Sequence, residues 1–209
     1  MTNLYQYENE LYLKGYNNIA GTDEAGRGPL AGPVVAAAVI LPKGLIIEGI
    51  NDSKKLSEKK REELSYIIKE KAVAYSIVFV DEKKIDEINI YEASRLAMIK
   101  AISSLKVKAD YVLSDAMPIN SLDVEVLPII KGDAKSASIA AASILAKVAR
   151  DHYMEKLDSK YPEYGFKKHK GYPTKAHIEA IKKYGVLDCH RKTYGPVREQ
   201  LVIQLELDL

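Results

Sequence analysis

Two adjacent carboxylates stand directly before an arginine that is held between two glycines. The segment reads Asp23-Glu24-Ala25-Gly26-Arg27-Gly28. Because adjacent residues of a strand point to opposite faces, the two acids cannot both enter a buried core. The glycines let the backbone approach a ligand and expose its N–H groups, and Arg27 adds a planar cationic group. An acid pair beside such a turn suits a site that holds metal cations against a phosphodiester.

The same segment has other interpretations. An Asp-Glu dipeptide alone is typical of a solvated turn, and the flanking glycines raise the case for function modestly. A dinucleotide-binding fingerprint is excluded because Ala31 stands where its third glycine belongs, and Pro29 and Pro33 prevent a long helix from starting here. The chain also has no Gly-x4-Gly-Lys-Ser/Thr phosphate loop.

Two further acids lie where ordered elements are expected to meet. Asp115 closes a buried apolar strand and needs a partner there, although a turn-starting aspartate is the alternative. Asp133 precedes an alanine-rich helix, where a simple N-cap is the alternative. If the strands form one sheet, both acids converge on Asp23 and Glu24. Four carboxylates without nearby His or Cys favour Mg²⁺ or Mn²⁺ over zinc.

Hydrophobic periodicity predicts alternating strands and helices. Strands are expected at 18–22, 34–41, 73–80, 111–113 and 124–130, and helices at 4–15, 57–71, from 81, 90–105, 134–157 and 174–184. The unbroken apolar run at 34–41 indicates a strand buried on both faces. After residue 157, proline and glycine break the chain around one helix. We therefore expect a main domain at 1–157 and a small helical extension at 158–209 packed on it.

Composition narrows the function classes. With 209 residues, 47% of them hydrophobic, and a single cysteine, the chain can form one core but no internal disulfide. No leader or apolar run of membrane-spanning length is evident, so we expect a cytoplasmic protein without membrane contact. Residues 131–200 hold 15 basic and 8 acidic side chains, a net +7 against +2 for the whole chain. This basic third suits a phosphate-binding surface, or a solvated lysine-rich face.

The motifs together resemble those of ribonuclease HII, in the same order along nearly the whole chain. They lie at 23–34, 51–56, 114–116, 131–136, 140–151 and 171–174. The resemblance implies a ribonuclease H-like α/β fold, a mixed sheet flanked by helices. It also implies an endonuclease that hydrolyses the RNA strand of RNA–DNA hybrids and nicks 5′ to single ribonucleotides in duplex DNA. The products would carry 3′-hydroxyl and 5′-phosphate ends, and two metal ions would act together.

The resemblance also implies residue roles. Asp23, Glu24, Asp115 and Asp133 match the metal-binding acids; Gly26, Arg27 and Gly28 match a loop that contacts the ribose 2′-hydroxyl; Tyr172 matches a tyrosine that packs beyond an RNA–DNA junction. Four residues in matching stretches are candidate phosphate contacts, namely Ser53, Lys54, Lys135 and Ser136. Lys147 and Arg150 are interpreted as solvated helix charges. We expect a monomer.

Two alternatives remain at this point. A hybrid nuclease of the ribonuclease HI or HIII type would prefer long RNA tracts and would not excise single ribonucleotides. A non-catalytic nucleic-acid-binding module would use the acids as caps and turns.

Overall fold

A computed structural model describes residues 4–207 of the chain. The strands are β1 (Ile19–Ala25), β2 (Val34–Ile40), β3 (Ala74–Val80), β4 (Tyr111–Asp115) and β5 (Val126–Ile129). The α-helices are α1 (Gln6–Leu13), α2 (Glu58–Lys71), α3 (Glu82–Ser103), α4 (Ala137–Lys160), α5 (Phe166–His169), α6 (Lys175–Tyr184) and α7 (Gly195–Leu207). Short 3₁₀ turns lie at Ser53–Lys55, Gly132–Ala134 and Pro162–Tyr164.

The five strands form one mixed sheet in the order β3-β2-β1-β4-β5. The β1–β2 and β2–β3 pairs are antiparallel, whereas β4 pairs parallel with both β1 and β5. The parallel pairing brings the carboxyl ends of β1, β4 and β5 to the same edge of the sheet. Open α/β sheets bind their ligands at this kind of edge.

Helices cover both faces of the sheet, and the prediction that β2 is buried on both sides is confirmed. Val34, Ala36, Ala38 and Ile40 belong to the apolar cluster under α3, and the alternate residues of β2 face α2 and α4. On the other face, α4 comes unusually close to β1. A methyl group built on Gly21 would lie 2.0 Å from the Ser138 backbone carbon, so residue 21 has no room for a side chain.

Several boundaries differ from the sequence-based prediction. β1 continues through Asp23 and Glu24 to Ala25, because ladder bonds to β2 hold the acid pair inside the strand instead of beyond it. The predicted helices from 81 and at 90–105 form one element with a kink at Asn89, whose φ is +66°. α4 begins at Ala137, and Ser136, not Asp133, is its N-cap. The N-cap interpretation of Asp133 is therefore wrong.

The segment after α4 packs on the rest of the chain through its own apolar cluster. Met154 of α4 and Leu30 share this cluster with Phe166, Ile181 and Val197. Helix α7 was missed because its Gly-Pro start was interpreted as a break, although proline is tolerated in the first turn of a helix. α4 runs past residue 157 to Lys160, and the division into two units stays a prediction. No helix within 4–207 combines the length and apolar character needed to cross a membrane.

Candidate active site

Three carboxylates meet at the edge of the sheet where β1, β4 and β5 end. Asp23 lies in β1, Asp115 is the last residue of β4, and Asp133 lies in the 3₁₀ turn after β5. One oxygen from each lies within 4.8 Å of the others. The Gly132 N–H donates to Asp115 Oδ1 at 2.7 Å, which ties the turn that carries Asp133 to the end of β4. The predicted convergence of these three acids is thus present in the geometry.

The cluster concentrates negative charge in a nearly buried place. Asp23 and Asp133 are each 5% exposed. Burial raises the pKa of Asp23 well above its ordinary value, and the neighbouring charges of Glu24 and Asp115 raise it further. Burial, followed by the Asp115 charge, also raises the pKa of Asp133. Carboxylate oxygens that repel one another in this way fit a hard divalent cation, which would relieve the repulsion.

Glu24 borders the cluster without being one of the three converging acids. Its Oε1 lies 3.4 Å from the Arg27 guanidinium. Its Oε2 is buried and, among residues 4–207, accepts no hydrogen bond. Burial raises the pKa of Glu24, and the Asp115 charge adds to this effect against the opposing Arg27 charge. An orphaned carboxylate oxygen beside three acids is a further sign that a cation belongs here.

Two buried serines orient Asp23. The Ser143 hydroxyl of α4 hydrogen-bonds the Asp23 carboxylate, and its oxygen lies 2.9 Å from the Ser53 hydroxyl oxygen. When Asp23 is ionised its carboxylate only accepts, so Ser143 then donates to Asp23 and Ser53 donates to Ser143. Sequence reasoning assigned no role to Ser143; the available signal was a serine in an alanine-rich helix that faces an acid-bearing strand.

The four candidate phosphate contacts divide into two exposed lysines and two buried serines. Lys54 Nζ lies 3.9 Å from Asp133 Oδ2, and its side chain is 81% exposed. Burial lowers the pKa of Lys54, but Asp133 and the other nearby acids outweigh this effect and the net shift is upward. Lys135 is also exposed. Lys54 therefore borders the cluster, Lys135 follows Asp133 by two residues, and both side chains are exposed.

The serines point into the protein instead. Ser136 is fully buried; its hydroxyl caps α4 through the Ile139 N–H and donates to Glu8 Oε1 at 2.7 Å. Ser53 is 4% exposed, and its hydroxyl is hydrogen-bonded to the Ser143 hydroxyl. Neither hydroxyl can reach a substrate phosphate without breaking these contacts, so the side chains of Ser53 and Ser136 support the fold instead.

The glycine loop, residues 26–28, follows β1 directly and lies against Tyr172. Gly26 has φ +100°, and a Cβ there would lie 2.1 Å from Arg150 Nε, so glycine is required on both counts. A Cβ at Gly28 would lie 3.6 Å from the Tyr172 ring. Tyr172 is 43% exposed, and Arg27 is exposed as well. The loop and the tyrosine therefore form one accessible surface beside the acids.

Arg150 is not a solvated helix charge, and that prediction is wrong. It is 1% exposed and donates to the carbonyl oxygens of Pro33 (3.1 Å), Lys170 (2.9 Å) and Ala31 (3.1 Å). Lys147 is also paired, because its Nζ lies 2.6 Å from Asp151 Oδ1. α4 packs under the segment that follows the glycine loop, so a long cationic side chain there is buried against backbone carbonyls.

A chain of neutral histidines supports the backbone of Tyr172. His177 Nδ1 lies 3.0 Å from the Tyr172 carbonyl oxygen, so the proton is on Nδ1 and Nε2 accepts. His190 Nε2 then donates to His177 Nε2 at 3.2 Å, and the Leu187 N–H donates to His190 Nδ1. Burial lowers the pKa of His177 to about 4 and that of His190 to about 3, which keeps both rings neutral.

Comparisons with known proteins agree with this arrangement. The family model for ribonuclease HII matches residues 20–197. A ribonuclease HII from Clostridioides difficile (strain 630) is 60% identical over 188 residues, which cover 90% of this chain and 74% of that protein. The ribonuclease H2 crystal structure from Pyrococcus horikoshii OT3 aligns with a TM-score of 0.77 at 30% identity, covering 89% of this chain and 98% of that one.

A more distant structure has the same fold. Bst-RNase HIII in complex with Mn²⁺ aligns with a TM-score of 0.66 at 19% identity, covering 90% of this chain and 70% of that chain. The expected ribonuclease H-like mixed sheet flanked by helices is confirmed. The chain belongs to the ribonuclease HII family, the metal-dependent endonucleases that hydrolyse the RNA strand of RNA–DNA hybrids.

Proposed function

We propose that this enzyme also nicks duplex DNA on the 5′ side of a single embedded ribonucleotide, leaving 3′-hydroxyl and 5′-phosphate ends. One observation carries the proposal. The glycine loop follows the strand that bears Asp23, and the Tyr172 ring lies beside Gly28 on the same surface. A sugar-contacting loop within a few residues of the reacting centre suits recognition of one nucleotide better than recognition of a long tract.

Asp23, Asp115 and Asp133 are the residues that would hold divalent cations, with Glu24 as the fourth acid at the margin. Two bound ions would supply an activated water and stabilise the negative charge on the leaving oxygen. Carboxylate donors fit Mg²⁺ or Mn²⁺, and the ribonuclease HIII with this fold was solved with Mn²⁺. The serine pair Ser143 and Ser53 would hold Asp23 in one orientation.

The chain's own residues would bind and select the substrate. Backbone N–H groups of the glycine loop and the exposed Arg27 side chain would contact the ribose and its phosphate, because the 2′-hydroxyl is the group that distinguishes RNA at one position. The half-exposed Tyr172 ring would pack on the neighbouring nucleotide. Lys54 and Lys135 would neutralise backbone phosphates beside the acids.

A cleavage assay on three duplexes of one sequence tests this function. One duplex carries a single ribonucleotide, one is a continuous RNA–DNA hybrid, and one is all DNA. We expect cuts in the first two, abolished by EDTA and restored by excess Mg²⁺ or Mn²⁺. Cleavage of the hybrid alone would favour the ribonuclease HI or HIII type of specificity, and metal-independent binding without cleavage would favour a non-catalytic module.

A monomeric state stays a prediction, and sedimentation of the purified enzyme checks it.

A further inference from the structure

A buried arginine from outside the sheet holds the glycine loop by its carbonyl groups. Arg191 is 0% exposed and lies just before α7. Its Nε and Nη2 donate to the Gly32 carbonyl oxygen at 3.0 and 2.8 Å, and Nη2 donates to that of Gly26 at 2.6 Å. Its Nη1 donates to the Arg27 carbonyl oxygen at 2.9 Å and to the Tyr194 hydroxyl at 3.0 Å. All five N–H donors of the guanidinium are therefore used.

These contacts fix the direction of two peptide planes. The described chain contains no cis peptide, and in a trans peptide the C=O and N–H groups point to opposite sides. With the Gly26 and Arg27 carbonyls directed at Arg191, the N–H groups of Arg27 and Gly28 must point away from it. Within residues 4–207 neither N–H donates to a protein acceptor, and both residues are exposed. Two free donors are thus presented side by side.

Neighbouring contacts hold Arg191 itself in place. The Tyr194 hydroxyl donates to the Arg27 carbonyl oxygen at 2.7 Å, so two groups converge on one acceptor. Asp86 of α3 accepts from the Lys192 N–H at 2.8 Å and from the Thr193 N–H at 3.0 Å. This carboxylate anchors the segment between Arg191 and Tyr194 to a helix that covers the sheet. The contacts between Arg191 and the loop carbonyls are therefore anchored to the main body of the protein.

We propose that Arg191 is a positioning residue for ribonucleotide selection. By orienting the carbonyls of Gly26 and Arg27, it presents the N–H groups of Arg27 and Gly28 to the 2′-hydroxyl of the target sugar. This inference rests on the proposed contact between the glycine loop and the ribose. Full burial keeps Arg191 away from the substrate, so its effect passes through the loop. Lysine cannot replace it, because one ammonium group cannot span three carbonyls as the planar fork does.

Competition kinetics with the Mg²⁺-loaded enzyme test the proposal. The selection ratio is the inhibition constant of an all-DNA duplex divided by the KM for the same duplex with one ribonucleotide. In Arg191→Lys and Arg191→Gln the N–H groups of Arg27 and Gly28 should be displaced. Losing about one hydrogen bond to the 2′-hydroxyl should lower this ratio about tenfold. The inhibition constant of the all-DNA duplex should stay near the wild-type value, because Arg191 does not contact Lys54 or Lys135, the proposed phosphate contacts beside the acids.

Two further variants separate positioning from stability. Tyr194→Phe removes one of the two donors to the Arg27 carbonyl while keeping the aromatic ring, and it should lower the ratio about threefold. It decides the question if the Arg191 variants do not fold. Ile181→Ala removes buried apolar volume from the neighbouring cluster and touches no loop carbonyl, so it should reduce stability and leave the ratio unchanged.

The outcomes are distinct. A lower ratio in the folded Arg191 or Tyr194 variants with an unchanged ratio in Ile181→Ala supports the proposal. A wild-type ratio in a folded Arg191→Gln enzyme, rescue by lysine, or an equal loss in Ile181→Ala overturns it. If the wild-type enzyme itself shows no preference for the ribonucleotide-containing duplex, the proposed function fails first, and the inference fails with it.

Discussion

Replacing Asp115 by asparagine tests the carboxylate cluster with the smallest change of shape. Asparagine keeps the Oδ1 that accepts the Gly132 N–H at 2.7 Å, so the turn that carries Asp133 should stay in place. The substitution removes one charge from three acids whose oxygens lie within 4.8 Å of one another. At an effective dielectric constant of about 20, two unit charges at that distance repel by about 3 kcal/mol.

The expected result is an enzyme that is more stable and less active. The raised pKa values of Asp23 and Asp133 neutralise part of the charge already, so the gain in metal-free stability at pH 8 should be about 1–2 kcal/mol, below the full repulsion. Loss of a cation ligand should remove about 4 kcal/mol of transition-state stabilisation, which lowers the cleavage rate about 10³-fold.

Chemical denaturation in EDTA and in Mg²⁺, together with single-turnover cleavage of the one-ribonucleotide duplex, measures both effects. Wild-type enzyme should gain stability on adding Mg²⁺, and Asp115→Asn should gain much less. Asp81→Asn is the matched control, because Asp81 caps α3 outside the cluster and asparagine caps a helix equally well. Wild-type cleavage, or an undiminished response of stability to Mg²⁺, in Asp115→Asn would refute the role of this residue.

Three other predictions concern the same region. Because burial raises the pKa of Asp23 and Asp133 above their unfolded values, these acids retain protons in the folded state, and their contribution to metal-free stability should fall as pH rises above about 4. The lowered pKa values of His177 and His190 act in the opposite direction, so the check is the stability difference between wild type and Asp23→Asn in EDTA across pH 4–8. That difference should shift against the wild type as pH rises, and a difference that does not change with pH contradicts the prediction. Tyr172→Ala should lower kcat/KM on the one-ribonucleotide duplex about tenfold or more, whereas Tyr172→Phe should keep it, because base stacking needs only the ring. A wild-type kcat/KM in Tyr172→Ala would show that the ring does not take part in substrate recognition. Gly21→Ala should destabilise the fold by about 1–3 kcal/mol, since its Cβ would overlap Ser138, and an unchanged denaturation midpoint would contradict this close packing.

Local patterns predicted the elements well where one physical cause dominates. The apolar run of β2 indicated a strand covered on both faces, and it is fully buried. Ser57 and Thr174 were correct helix starts because their hydroxyls accept from the N–H three residues later. Three scattered acids also lie together as expected, because parallel pairing of β1 with β4 places Asp23 and Asp115 at the same sheet edge.

Errors arose where tertiary contacts decide what a side chain does. Ser136 looked like a phosphate donor, yet Glu8 of α1 and the first turn of α4 occupy its hydroxyl. Arg150 looked like surface charge, and only the packing of α4 under the glycine-rich segment turned it inward. Arg191 carried no local signal, because the carbonyls it binds are about 160 residues earlier in the chain.

Helix α4 contacts both the acid cluster and the segment after the glycine loop, through Ser143 on Asp23 and through Arg150 on the carbonyls of Ala31 and Pro33. With a rise of 1.5 Å per residue, these two positions are about 10 Å apart along the axis. The helix thus sets the distance between the acid cluster and the segment that follows the glycine loop. Adding or deleting one residue between 143 and 150 would rotate one contact by about 100° relative to the other. We therefore expect surface loops to tolerate changes of length that this segment cannot.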